Sequence, residues 1–300
     1  MSKTSKSPRA VLRQAYEVGC SVLPKRWHRF SPKTFSPAQL FSCLILKAFY
    51  GLDYRATEQM LFDLPELCSE IGLSRVPDFS TLCKAERRLL NEEKTRLLLQ
   101  QTIRASLPPR RMKDLIELAA IDGSGFESRH ISEHYLKRQN LSGKKTWHQK
   151  HPKMGILIDT ATHMILAIKT ERGPRSDRSH LDKLLNDASK VARIKTLVAD
   201  AGYDSESAHI LARKVFGIRS LIPPLIGRPT AKPPSGFYRR LMTRRFDYAL
   251  YGQRWQVETV FSMLKRLLRS ALTARNYFSQ CRELRLRALT LNIMILKRFF

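Results

Sequence analysis

Asp122, Asp200 and Glu258 are the side chains whose type and setting offer chemistry, because carboxylate oxygens are hard donors of the kind that suit Mg²⁺. Asp122 follows the apolar run Leu118-Ala119-Ala120-Ile121 and precedes Gly123-Ser124-Gly125. Asp200 follows Leu197-Val198-Ala199 and precedes Ala201-Gly202-Tyr203-Asp204. Short apolar runs bounded by polar turns predict strands, and a carboxylate that closes a buried strand faces the crevice where α/β sheets hold ligands. A helix N-cap or turn role explains either aspartate taken singly; the same arrangement occurring twice weakens that explanation. Glu258 lies in a predicted helix, where Tyr251, Arg254, Glu258 and Lys265 fall on one side. An ordinary i, i+4 ion pair accounts for Arg254 and Glu258. It does not account for an acid here at all, since residues 205–300 hold only four (Glu206, Asp247, Glu258, Glu283) among nineteen Lys and Arg.

These residues resemble the DDE transposases of prokaryotic insertion sequences, in the branch marked by a Tyr-x2-Arg-x3-Glu-x6-Lys signature. Tyr251, Arg254, Glu258 and Lys265 match that spacing at every position. The Asp-Gly-Ser-Gly segment at Asp122 is similar to the family's first-aspartate region, and Ala199-Asp200-Ala201-Gly202-Tyr203-Asp204-Ser205 to its second. Separations of 78 and 58 residues between the three acids match a catalytic core without a large inserted β-domain. Val76-Pro77-Asp78-Phe79-Ser80-Thr81 and the trailing Leu291-Asn292 extend the resemblance from about residue 36 onward.

The resemblance implies a ribonuclease-H-like fold in which Asp122, Asp200 and Glu258 are catalytic and bind two Mg²⁺ ions, with Mn²⁺ as a substitute. Water would attack the phosphodiester at the element's end, and the freed 3′-hydroxyl would then attack target DNA, with no covalent enzyme intermediate. Arg254 and Lys265 would hold phosphates, and Tyr251 would contact the backbone or pack; Trp255 is expected in the core. The implied partners are double-stranded DNA, as element ends and target, and a second copy of the chain in the DNA complex. The absence of a Gly-x-x-x-x-Gly-Lys-[Ser/Thr] loop argues against a nucleotide cofactor. Two other readings use the same features: a stand-alone metal-dependent nuclease, and a non-catalytic DNA-binding protein descended from a transposase.

The elements that must position these side chains are legible in outline. Ser36-Pro37-Ala38-Gln39 is a capping box with a first-turn proline, and Leu40, Phe41, Leu44, Ile45 and Phe49 follow at core spacing before Gly51. Shorter helices are expected at 54–63 and 65–71, and another from about Asp78 or Ser80 to Pro108-Pro109. Strands are expected at 118–121, 154–158, 164–168, 196–199 and 220–222, helices at 178–192 and 206–216, then a Pro-rich loop from Pro223 to Gly236 and a long basic helix over roughly 239–268. The fold class is therefore α/β, a mixed sheet flanked by helices and preceded by a small all-helical domain. The expected division is a basic arm over 1–35, a helical DNA-binding domain over 36–107 and the catalytic domain over 110–300. His130 and His134 lack the glutamate and third ligand of a zinc site. Asp159 reads as a turn residue, and Asp177 and Asp204 as helix starts.

Composition agrees with a DNA partner. Of 300 residues, 54 are Lys or Arg against 26 Asp or Glu, a net charge of +28 with 43% hydrophobic residues. That charge exceeds what solubility needs and points to a polyanion. It gathers at the ends: besides residues 205–300, the first 33 carry eight cations and one acid, Glu17. No apolar run is long enough to span a bilayer, and five scattered cysteines read as reduced thiols, so a cytoplasmic, nucleoid-associated protein is expected.

Overall fold

The computed structural model describes residues 4–30, 33–106, 115–128, 151–173, 178–224 and 234–296. His130, His134, Asp177 and most of the Pro-rich loop lie outside the described residues. The chain divides into two compact units, one built from 1–109, 263–270 and 278–300, the other from 110–262 and 271–277.

The first unit is helical. It contains α1 (Pro8–Val22), α2 (Pro37–Tyr50), α3 (Tyr54–Asp63), α4 (Pro65–Glu70), α5 (Phe79–Leu89) and α6 (Glu92–Ser106), joined by most of the C-terminal helix, which begins at Tyr277. Helix α2 is closed at both ends as expected. Gln39 N–H donates to Ser36 Oγ (3.1 Å), Ser36 N–H donates to Gln39 Oε1 (2.8 Å), and Gly51 ends the helix at φ 67°, where a Cβ would be strained.

Three features differ from the expected division. Residues 8–22 are not an arm: Ser7 caps a helix whose Val11, Leu12, Ala15 and Val18 form one buried stripe packed on α2, while Arg9 and Arg13 pair with Glu70. The helix expected from Ser80 to Pro108 is interrupted after Leu89, and Asn91 Oδ1 accepts Lys94 N–H (2.9 Å) to start the second piece. The C-terminal helix closes the helical unit, with buried Asn292 Nδ2 donating to buried Thr102 Oγ1 (3.0 Å). Charge counting concealed the first, because the cations of α1 lie off its apolar stripe.

The second unit carries a five-stranded sheet of β1 (Leu115–Gly125), β2 (His151–Asp159), β3 (Ile165–Gly173), β4 (Arg193–Val198) and β5 (Arg219–Leu221), in the order β3-β2-β1-β4-β5. The first three pair antiparallel, and β4 and β5 add in parallel, the arrangement of a ribonuclease-H-like sheet. Helix α7 (Arg178–Ser189) packs on β2 and β3 and supplies the crossover to β4; α8 (Glu206–Ile210) widens into a π-helical turn at Leu211–Val215 before β5. The middle strands have apolar centres, Ala119, Ala120, Ile121, Ile156, Leu157, Ile158, Leu197 and Val198 all being buried, as a sheet covered on both faces requires.

The long basic helix is broken. Helix α9 (Phe237–Arg244) stops at Arg245, whose backbone leaves the helical region, and Asp247 begins α10 (Tyr248–Tyr251) by accepting Leu250 N–H at 3.1 Å. From there a 3₁₀ turn (Gly252–Arg254) leads into α11 (Trp255–Leu267) without loss of helical backbone angles. The C-terminal helix is α12 (Tyr277–Leu296), and no helix among the described residues is long and apolar enough to cross a membrane.

Gly155 of β2 lies opposite Gly123 and under the ring of His180, a fully buried residue whose Nε2 is 2.6 Å from Glu171 Oε1. A Cβ at Gly155 would meet that ring, with its Cγ at 3.0 Å. Gly155→Ala is therefore expected to destabilise the chain by about 1–3 kcal/mol, read as a lower urea midpoint; an unchanged midpoint would show that His180 can retreat.

Candidate active site

Parallel register carries the two aspartates to the same end of the sheet. The last β1–β4 partners are Ala120 and Val198, so Asp122 and Asp200 each lie two residues further along neighbouring strands. Asp200 does not close β4, which ends at Val198, but caps the following 3₁₀ turn Ala201–Tyr203, accepting Gly202 N–H at 2.9 Å. Asp122 does not end its strand: β1 continues to Gly125, paired only with β2, and Asp122 Oδ1 accepts the Gly123 N–H at 2.7 Å. Asp122 thus stands where the parallel partner has peeled away.

The signature residues arrive from the segment that follows α9. Arg254 lies between two acids, with Nη1 3.7 Å from Asp122 Oδ2 and Nη2 paired to Glu258 Oε1. Burial opposes its charge, but the bond to Glu258 and the nearby Asp122 outweigh that and raise the guanidinium's pKa further. Tyr251 hydrogen-bonds Arg254; burial, followed by the charges of Asp200 and Glu258, pushes its phenol up against the opposing pull of Arg254, so it stays protonated at neutral pH. Arg254 therefore connects Asp122 with Glu258, and Tyr251 stands beside it within the field of Asp200. Lys265 follows Glu258 by about two turns of α11, in the stretch 263–270 that groups with the helical unit. The side chain of Glu258 is 55% exposed.

Among the described residues, no three His, Cys, Asp or Glu side chains converge as a metal cage. The donor chemistry nevertheless fits a hard divalent cation: three carboxylates, with a guanidinium supplying positive charge between two of them.

Neighbouring elements hold these parts in place. His163, at φ 64° in the β2–β3 turn, places Nε2 2.6 Å from Gln256 Oε1 and so fastens the turn to the start of α11. Asp159 is turn chemistry as expected, accepting Ala161 N–H (3.1 Å) and Thr162 Oγ1–H (2.6 Å). Trp255 is not in the core; it is 54% exposed, because the buried face of α11 is formed by Val257, Val260, Phe261 and Leu264.

Asp204 is, with Trp255, a residue that sequence reasoning misassigned. It does not begin α8, a role taken by Ser205, whose Oγ accepts Ala208 N–H at 3.1 Å. Its fully buried carboxylate instead accepts Nε and Nη2 of Arg239 at 2.7–3.0 Å, and Glu206 accepts the N–H groups of Tyr238 (3.0 Å) and Arg239 (3.1 Å) at the start of α9. Buried His209, 3.8 Å from Asp204, has its pKa lowered, mainly by burial, and is neutral at pH 7. One cluster thus ties the turn after Asp200 to the segment leading to Glu258. Two acids within three residues in a basic region were the available signal. Asp204→Asn leaves the mostly buried Arg239 without its counter-charge and is expected to cost about 3 kcal/mol in chemical denaturation. A loss below about 0.5 kcal/mol would show that the pair is dispensable.

The family model described as the transposase DDE domain matches residues 114–293, more than half of the chain and all of the residues gathered above. A search of curated proteins finds no match. With its mixed sheet and the matched span in agreement, the chain belongs to the transposase DDE-domain family.

Proposed function

We propose that the chain cuts and joins DNA at the ends of an insertion sequence, with Asp122, Asp200 and Glu258 as the catalytic acids. The supporting observation is the meeting of Asp122 and Glu258 on Arg254, beside the strand end that Asp200 follows. These carboxylates would hold divalent ions, Mg²⁺ or Mn²⁺, two per site. Such ions would activate the attacking oxygen and neutralise charge on the leaving one. Arg254 supplies forked N–H donors for a phosphate once its carboxylate partners are otherwise engaged, and Lys265 supplies a second positive charge along α11. Tyr251, protonated, donates to the sugar-phosphate backbone. In-line attack by water would nick the element end, and the freed 3′-hydroxyl would then attack target phosphate, so no residue of this chain needs to become covalently attached. The helical unit, with its many cations, serves as the DNA-binding part, and a second copy of the chain holds the second element end.

Asp122→Ala, Asp200→Ala and Glu258→Ala are each expected to reduce strand cleavage at least about a thousandfold, a loss of about 4 kcal/mol in barrier terms, with DNA affinity within about threefold of wild type. Cleavage at the wild-type rate in any one of them would remove that residue from the site. Affinity itself should fall by about 10³ or more between low and physiological salt, and a flat response would assign the charge to another partner. Pre-cut ends separate the readings: joined products indicate a transposase, whereas cleavage without joining indicates a nuclease.

A further inference from the structure

Between α1 and α2 the chain runs Lys25-Arg26-Trp27-His28-Arg29-Phe30, three cations interleaved with three aromatic rings, and no acid occurs between Glu17 and Asp53. This stretch is anchored. Leu23 is buried at its start, and two cations approach the Trp27 ring centre, Arg88 of α5 at 5.6 Å and Lys94 of α6 at 5.3 Å. Lys94 is itself held, its Nζ donating to the Arg88 carbonyl oxygen at 2.9 Å. Beyond Trp27, Phe30 is 79% exposed, with the Arg29 guanidinium 5.2 Å from its ring centre and the His28 ring at 5.5 Å. Beside Trp27 opens a cavity of about 350 Å³ whose lining includes Phe35, Arg75, Asp78 and Thr81, ring faces alongside polar edges.

An exposed phenylalanine adds nothing to a core, and the cations around it repel one another. Both costs are recovered by a polyanion that also carries flat apolar faces, which describes nucleic acid. A duplex hides its base faces in the stack, whereas an unpaired strand presents them. We propose that the Lys25–Phe30 loop, with Arg88 and Lys94, is a docking site for unpaired DNA. Arg26 and Arg29 lie on its phosphates, Phe30 stacks on a base, and the cavity beside Trp27 receives another. This site rests on the reading of the chain as a transposase, since strand cleavage creates ends from which unpaired strand can be drawn.

Fluorescence anisotropy with the full chain tests the site on a blunt duplex, the same duplex bearing a short single-stranded 3′ tail, and the single strand alone. Phe30→Ala is expected to weaken the tailed duplex and the single strand about tenfold and the blunt duplex less than about twofold. The double variant Arg26→Gln, Arg29→Gln is expected to weaken all three and to reduce the slope of log affinity against log salt by about one to two. All three residues are exposed, so unchanged circular dichroism should accompany both results. Equal effects of Phe30→Ala on blunt and tailed duplex, or an unchanged salt slope, overturn the proposal. So does loop-dependent binding to phosphatidylserine vesicles with DNA affinities unaltered. A wild-type chain that cleaves and joins DNA while Phe30→Ala binds normally leaves the transposase reading standing and removes the docking site. A chain that shows the tail preference but no cleavage does the reverse.

Discussion

Asp122 and Asp200 each lie two residues beyond the last β1–β4 partners, so two carboxylates belong to one end of the sheet. Asp122 uses one oxygen on the next backbone N–H and Asp200 uses one to cap a turn, and neither of these bonds brings a full positive charge. Positive charge must come from outside the two strands. In the free chain Arg254 supplies it for Asp122, and Glu258 holds Arg254 from the other side. The placement of the 3₁₀ turn against β1, the entry of α11 and the raised phenol of Tyr251 are arranged around this local excess of negative charge within a strongly basic protein.

A charged centre of this kind also needs a rigid frame, because a guanidinium displaced by an ångström exchanges a carboxylate for water. The frame is polar and buried rather than apolar alone. Asp204 and Glu206 hold Arg239 and the first turn of α9, and Gln256 is held by His163. Both attachments join segments distant in sequence, so the distance between the strand ends and the Glu258 helix is set by geometry on either side of the site. Directional bonds serve this purpose better than hydrophobic contact, which tolerates sliding.

How much of this could be read from residues alone follows from how local each signal is. The capping box at Ser36 and the apolar strand cores were legible because they depend on spacing of a few residues, whereas the order of the strands was not. The signature at Tyr251, Arg254 and Glu258 was legible because a helix repeats every 3.6 residues, and the 3₁₀ turn at Arg254 barely changes that path. Asp247 was passed over as one acid in a basic run, so the break before α10 was missed. The exposure of Trp255 was missed because residue type alone favoured burial, whereas the position of Val257 and Val260 decided which face of α11 turned inward. Asp204 and Arg239 pair across 35 residues, and no local pattern encodes that contact.

The C-terminal helix completes the first helical unit through Asn292 and Thr102, both fully buried. That arrangement fixes an order of events during synthesis. Helices α1 to α6 emerge from the ribosome before α12 and keep part of their apolar surface uncovered until it has been made. Closing that gap over about 190 residues is a slow, non-local step, and the unfinished helices are a natural target for chaperones meanwhile. A chain truncated before α12 would yield an N-terminal portion that lacks the helix needed to finish its own core, rather than a stable fragment.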